Sequence, residues 1–245
     1  MSSLVFDLKH FSLRQTYTAQ RVGTDALLLG AWPWKHSLPD RPRLLDVGTG
    51  TGIIALMLAQ RFDRAEVEGW EMEAGAVKDA LYNVEQSPFA DRVQIHACDY
   101  EAGYKACDKP FDLVISNPPY YIEKTLPQDA RLTLARHTKG GLSPEFLLRT
   151  AHELLAPEGG LAMITPVESL PFLRQVAIEH GWYLAEVVTI YSLPGRPKRS
   201  LQLWRRLSSL RSYTLTHTTS LILQDKPDHP SSDYRAWVKD FLLSF

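Results

Sequence analysis

The chain has 245 residues, 44% hydrophobic and 22% charged, with 14 Gly and 16 Pro. These values lie within the range of folded globular proteins and exclude disorder, collagen and a coiled-coil rod. Its 27 Lys and Arg balance 28 Asp and Glu for a net charge of −1, so any nucleic-acid surface has to be a local patch. Two cysteines, Cys98 and Cys107, provide neither a disulfide framework nor a zinc cluster, and a reduced, cytoplasmic setting is expected. No apolar run reaches the roughly 18 residues of a membrane helix. No basic start followed by an apolar stretch marks a signal peptide, so no membrane association is expected.

In chain order, residues 4–15 alternate in character, and from residue 43 short apolar runs alternate with amphipathic stretches, the pattern of βα units around a parallel sheet. Strands are expected at 43–47, 66–70, 93–97, 111–116 and 161–165. Helices are expected at 52–61, 74–85 (stopped by Ser87-Pro88), 144–155 (Ser143 as cap, Pro144 at the first position) and 169–180, closed by Gly181. Residues 183–190 and 200–206, joined by the turn Leu193-Pro194-Gly195, read as a hairpin. Beyond them, 213–223 is strand-like and 233–243 helical. The expected fold is therefore α/β: a doubly wound, seven-stranded, mostly parallel Rossmann-like sheet with its last strand antiparallel and its ligands at the carboxyl ends of the strands. Residues 42–206 form the core, 1–41 an N-terminal extension and 207–245 a C-terminal strand and helix packed as an extension.

Between the first strand and first helix lies Asp46-Val47-Gly48-Thr49-Gly50-Thr51-Gly52, where glycines let backbone approach a ligand and a helix N-terminus offers amides. The spacing is G-x-G-x-G, with Ile53 where the dinucleotide pattern G-x-G-x-x-G has glycine, so a pyrophosphate ligand is not favoured. The next two strands also end in carboxylates, Glu71 and Asp99. Each acid alone fits a solvated strand end; at three successive strand ends, Asp46, Glu71 and Asp99 make an acid-lined crevice. Glu71 suits the hydroxyls of a ribose and Asp99 the exocyclic amine of an adenine. An adenosine without phosphates fits, and so does the sulfonium of S-adenosylmethionine. No His/Cys partner set for a metal accompanies these acids.

After the fourth strand comes Ser116-Asn117-Pro118-Pro119-Tyr120-Tyr121, two prolines fixing an extended turn at the same crevice. Here the sequence resembles the S-adenosylmethionine-dependent methyltransferases, whose amino-methylating members carry D/N-P-P-Y/F/W at this place. The resemblance implies that the Asn117 side-chain oxygen and the Pro118 carbonyl accept the two N–H groups of a target amine, exposing its lone pair, while Tyr120 stacks on the planar target. Upstream, the run Val22-Gly23-Thr24-Asp25 to Leu28-Leu29-Gly30-Ala31-Trp32, taken with the glycine loop and the N-P-P-Y-Y turn, resembles the bacterial family that methylates N6 of adenine 37 in a valine tRNA. That likeness implies that Arg21, Gly23 and Thr24 frame the methionine end of the cofactor, with Asp25 capping the helix; Trp32 reads as core packing. It also implies a tRNA substrate, with no obligate protein partner.

Residues 196–211 carry Arg196, Lys198, Arg199, Arg205, Arg206 and Arg211 and no acid, a local basic patch suited to tRNA phosphates or, alternatively, a solvated strand edge. Lys9, His10 and Arg14 extend it if the N-terminal segment folds over the crevice. The stretch 122–139 is a long loop beside the N-P-P-Y turn, placed to close over a flipped base. Two alternatives stay open: the same chemistry on rRNA guanine N2, DNA adenine or a protein glutamine, and a non-catalytic RNA-binding protein that retains the fold.

Overall fold

The computed structural model describes residues 4–35, 37–119, 142–207 and 215–243. Tyr120, the stretch 122–139 and Arg211 therefore lie outside the described residues.

A short hairpin, β1 (Val5–Asp7) and β2 (Ser12–Arg14), precedes helix α1 (Thr24–Ala31). The βα alternation then runs β3 (Arg43–Val47), α2 (Ile53–Arg61), β4 (Glu66–Glu71), α3 (Ala74–Glu85), β5 (Val93–Ala97), α4 (Tyr100–Ala106), β6 (Phe111–Ser116), α5 (Pro144–Thr150), β7 (Leu155–Pro166) and α6 (Leu170–Glu179). The chain ends in β8 (Trp182–Tyr191), β9 (Pro197–Arg206), β10 (His217–Ile222), the small pair β11 (Gln224–Lys226) and β12 (His229–Pro230), and α7 (Ser232–Val238). Among the described residues the main sheet has eight strands, in the order β10-β8-β9-β7-β6-β3-β4-β5. Neighbours are parallel except where β9 inserts antiparallel between β7 and β8. The order steps outward from β3 in both directions, so the sheet reverses its winding between β3 and β6, the place where such sheets open a crevice.

Two apolar layers cover the sheet. Leu28, Leu44, Ile54, Leu56 and Val238 pack on one face, Trp70, Phe111, Leu148, Trp182 and Trp204 on the other. Trp32 is core, as expected, its indole N–H donating to the buried Glu186 carboxylate (3.1 Å).

Several elements depart from the sequence expectation, among them the unexpected β11–β12 pair and helix α7, which ends at Val238 rather than 243. Strand β10 runs parallel to β8 and makes the sheet eight strands wide, not seven. Its segment HTTSLI is a half-exposed edge strand, without the continuous apolar run that marks the strands covered on both faces. Helix α5 ends at Thr150, not near 155: a 3₁₀ turn at Ala151–Glu153 follows, and β7 starts at Leu155 with an irregular register before it settles opposite β6. Helix α4 was not expected at all; it is short and rests on its cap, the Asp99 carboxylate accepting from the Glu101 amide.

The N-terminal segment is fastened to α3. Asp79, wholly buried, accepts from Arg14 Nε (2.9 Å) and from the amides of Tyr17 (2.7 Å) and Thr18 (2.9 Å). Asn83 joins the Arg14 carbonyl to the Thr51 carbonyl of the glycine loop, at 2.9 Å each. Lys9 bonds the C-terminal segment through the Lys239 carbonyl. Arg14 and Lys9 are thus tethers of the hairpin and not an extension of the residue 196–211 patch.

Candidate active site at the carboxyl ends of the strands

Residues Gly48 to Gly52 turn the chain from β3 into α2 through three left-handed positions, Gly48 (φ 68), Gly50 (φ 58) and Gly52 (φ 84). A Cβ at such angles costs about 1–2 kcal/mol, which is why the turn needs glycine. The amides of Gly48 and Thr49 both donate to the Trp70 carbonyl (2.9 and 3.1 Å), tying the loop to the end of β4. Beside Gly50 a Cβ meets nothing within 4 Å, so open space adjoins the loop there.

Asp46 does not line that space as an open acid. It is fully buried under the loop, one carboxylate oxygen accepting from the Thr49 hydroxyl (2.5 Å) and the Ala55 amide (3.2 Å), the other without a partner among the described residues. Burial, with a smaller contribution from Glu71, pushes its pKa from 3.8 up to about 7 against the pull of those hydrogen bonds. Its first task is therefore to hold the loop on the helix N-terminus.

Glu71, at the end of β4, is half-exposed and reaches back across the loop. One oxygen accepts from the Gly50 amide and the other from the amides of Met72 and Glu73, all at 2.9 Å. The next turn repeats the device: Glu73 caps α3 by accepting from Gly75 and Ala76 (2.8 and 2.7 Å). Asp99, beyond β5, caps its own helix, one oxygen accepting from the Glu101 amide. The parallel register puts Asp46 beside Gly69 and Ile115 and Glu71 beside Ala97, so the three acids step outward by two residues from strand to strand, all at the carboxyl end of the sheet.

Asn117 and Pro118 follow β6 directly, Asn117 half-buried and Pro118 buried. Their strand is pinned to β3 where the loop begins: Ser116 pairs with Val47 and its hydroxyl donates to the Val47 carbonyl (2.8 Å). The N-P-P turn and the glycine loop thus leave adjacent strands at the same level. Leu142 closes against Gly48, where a Cβ would lie 3.0 Å from its side chain. Tyr120, the remaining residue of the predicted trio, lies outside the described residues.

The approach to α1 is exposed at Arg21, Gly23 and Thr24. Gly23, not Asp25, occupies the cap position, and no side chain caps the helix. Asp25, expected there as the cap, stands in the first turn and pairs with Arg199 (2.7 Å). That pair fastens the start of α1 to the start of β9, which lies beside the carboxyl end of β7 because Arg199 pairs with Pro166. Gly23 and Thr24 accordingly reach the same end of the sheet as Asn117.

The basic run is not one patch. Strand β9 crosses the sheet over ten residues, about 30 Å, so Arg196, Lys198 and Arg199 stand at the crevice end while Arg205 and Arg206 stand at the other. Nor is it a sheet edge, since β9 is flanked on both sides. Acids distant in sequence partner two of its members: Arg199 with Asp25, and Arg205 with Glu158 (2.6 Å). Exposed Arg196 and Lys198 are the part of the predicted patch that remains beside the crevice.

The acid tethers Asp79 and Glu73 escaped the sequence reading. Asp79 had a signal, an acid that shares with Asn83 a helix face otherwise made of Ala76, Val77, Ala80 and Val84. Among the described residues no three His, Cys, Asp or Glu side chains gather as a metal site.

Comparison with known proteins meets this geometry. Residues 22–170 match the family model of the methyltransferase small domain. A protein of Porphyromonas gingivalis named tRNA1(Val) (adenine(37)-N6)-methyltransferase is 38% identical over 98% of this chain and 96% of its own. One of the same name from Parabacteroides distasonis is 35% identical over 99% of both. Among solved structures, a predicted O-methyltransferase of Agrobacterium tumefaciens superposes with a TM-score of 0.63 at 21% identity, over 89% of this chain and 96% of that one, which shows a shared fold.

Proposed function

Since the chain belongs to the family of tRNA1(Val) (adenine(37)-N6)-methyltransferases, within the methyltransferase small domain, we propose that it transfers the methyl group of S-adenosylmethionine to N6 of an adenine in tRNA, with adenine 37 of a valine tRNA as the target. The observation that carries this reading is the likeness along nearly the whole of both chains.

The residues present fit the cofactor. The buried oxygen of Asp46 without a partner among the described residues puts negative charge beneath the glycine loop that favours a cationic ligand through it, the open space beside Gly50 admits a ligand against backbone, and Asp99 offers a carboxylate acceptor for an amine. Glu71 would accept ribose hydroxyls, Asp99 the adenine amine, and Arg21, Gly23 and Thr24 would frame the methionine end. Bound there, S-adenosylmethionine supplies a methyl group activated by its sulfonium.

What the chain itself contributes is orientation and electrostatics. The lone pair of an adenine N6 is delocalised into the ring, which makes the amine a poor nucleophile. The Asn117 side-chain oxygen and the Pro118 carbonyl accept its two N–H hydrogens, draw the nitrogen toward tetrahedral geometry and aim the freed lone pair along the line of transfer. The Ser116–Val47 bond keeps this turn at a fixed level against the glycine loop. With the cofactor held there, the freed lone pair would take the methyl group as its bond to sulfur breaks with the electron pair left on sulfur, and the proton lost from nitrogen would leave to solvent, so the chain needs no strong base. Tyr120, by its place in the motif, holds the flipped base by stacking. A tRNA substrate places this work in the cytoplasm. Among the described residues no helix is long and apolar enough to cross a membrane.

Incubation with methyl-labelled S-adenosylmethionine and, separately, total tRNA, rRNA, DNA or protein, followed by nucleoside mass spectrometry, tests the reading. N6-methyladenosine at position 37 of a valine tRNA is expected; label confined to another acceptor refutes it. In single turnover Asn117→Ala should lose about a hundred- to a thousandfold in rate with cofactor affinity unchanged. Tyr120→Phe should stay active where Tyr120→Ala does not. An Asn117→Ala enzyme at the parental rate overturns the mechanism.

A further inference from the structure

With the basic run split between the two ends of the sheet, the strongest interleaving of cations and exposed rings lies elsewhere, where the N-terminal segment crosses α3. The Arg14 guanidinium sits 3.7 Å from the Tyr82 ring centroid and 5.5 Å from that of Tyr17, and the Lys78 ammonium sits 3.7 Å from the Tyr17 centroid. Four side chains therefore alternate as Lys78, Tyr17, Arg14 and Tyr82 where the segment crosses the helix. Both rings keep a large open surface, Tyr17 at 49% and Tyr82 at 42% exposure. Of the two cations, Arg14 is balanced by buried Asp79. Lys78 is exposed and has no ion pair among the described residues, so its charge faces solvent.

The position relative to the crevice follows from the topology. Helix α3 starts just beyond the carboxyl end of β4, so its first turn is at the active-site end of the sheet. The Tyr17 carbonyl packs so tightly on Gly75 in that first turn that no Cβ fits there. Strand β4 is the second neighbour of β6, two strand spacings or roughly 10 Å from the strand that carries Asn117. The same segment then runs on through Arg21 to Asp25, which is tied to Arg199 beside Lys198.

A solvent-facing cation against one half-open ring, with a second half-open ring beyond Arg14, matches one chemistry closely. Phosphates are drawn by the charge while unpaired bases stack on the ring faces, whatever their sequence. A base-paired stem hides its bases and offers phosphates only, which leaves no role for the rings. We propose that Tyr17, Lys78, Arg14 and Tyr82 form a docking platform for the unpaired nucleotides that flank the target adenine, on the opposite side of the crevice from Arg196 and Lys198. This inference rests on the tRNA reading above. Arg14 serves the platform chiefly by holding the Tyr82 ring in place, and Tyr17 and Lys78 make the contacts.

The test compares full-length parent, Lys78→Ala, Tyr17→Ala and Tyr17→Phe in binding to unmodified valine tRNA transcript across a salt series, with cofactor affinity and melting temperature measured in parallel. The Lys78 side chain makes no hydrogen bond among the described residues, so its removal should leave melting and cofactor affinity alone. The salt slope should fall by about 0.7, the value for one phosphate contact on a single strand. Tyr17→Ala should weaken tRNA binding about five- to a hundredfold, and Tyr17→Phe should restore it. Parental affinity and salt slope in both Lys78→Ala and Tyr17→Ala overturn the platform while leaving the tRNA reading intact. So does a weakened Tyr17→Ala whose melting temperature has dropped while Lys78→Ala binds as the parent, since the ring then serves only to tether the hairpin. A parent that does not bind tRNA at all removes the platform and the functional reading together.

Discussion

Asp46→Asn isolates what a buried acid beneath the glycine loop does to stability and to ligand binding. Burial raises its pKa from 3.8 to about 7, so between those values the folded chain holds a proton that the unfolded chain has released. Its contribution to stability is complete below the unfolded value, is lost as pH rises toward 7 and is flat above that. About three pKa units at 1.36 kcal/mol each make roughly 4 kcal/mol. In a chain of this size each kcal/mol moves the melting temperature by about 2–4 °C, so the whole effect is on the order of 10 °C. Asn keeps an amide oxygen for the Thr49 hydroxyl and the Ala55 amide but cannot ionise. The melting temperature of the variant minus that of the parent, followed by calorimetry from pH 4 to pH 8 at constant ionic strength, should therefore climb by about 10 °C. The subtraction cancels the other titrating groups. Cofactor affinity should show the complementary effect, rising in the parent as pH goes from 6 to 8 because a cationic ligand favours the ionised carboxylate, and staying level in the variant. Parallel melting curves across the whole pH range would refute the account, since they mean that Asp46 titrates in the fold as it does in the unfolded chain.

The loop glycines separate strain from access. Gly52→Ala and Gly50→Ala should each cost about 1–2 kcal/mol in chemical denaturation, because both positions have positive φ. Only Gly50→Ala should also abolish cofactor binding, because its Cβ projects into the open space where that at Gly52 makes ordinary contact with Ala80. The divided basic run makes a matching contrast in filter binding to tRNA. Lys198→Glu, at the crevice end, should weaken binding and lower the salt slope by about one contact, and Arg205→Gln, at the far end in its pair with Glu158, should do neither.

The parallel core was legible because each of its strands from β3 to β6 carries its own local signature. RLLDV and FDLVIS are short apolar runs covered on both faces, and the turns between them announce themselves with glycine or proline. Strand β10 was legible as strand-like but not as part of the sheet, because its exposed Thr218, Thr219 and Ser220 make no apolar run and only the pairing with β8 gives it a place. The glycine loop and the N-P-P turn were legible as well, since backbone that must take a left-handed or fixed extended course leaves few residue choices. The state of Asp46 was not. The letter D at a strand end says that an acid is present, but whether it faces a ligand or sits under the loop depends on Thr49 and Ala55 closing over it, which a helix N-terminus decides in three dimensions.

Surface recognition was the least legible layer, for a reason of geometry. A run of like charges in a strand is contiguous in sequence and yet, at about 3.3 Å per residue, Arg196 and Arg205 are carried to opposite ends of the sheet, one toward the carboxyl end of β7 and one against Glu158. The cations and rings that do share a face come from places far apart in the chain, Arg14 and Tyr17 from the hairpin segment and Lys78 and Tyr82 from α3. What brings them together is a buried acid, Asp79, that binds Arg14 and the backbone of Tyr17 and Thr18. A single core carboxylate therefore determines what the outer surface presents, and a polar residue on an apolar helix face is the sequence feature from which to begin a search for such surfaces.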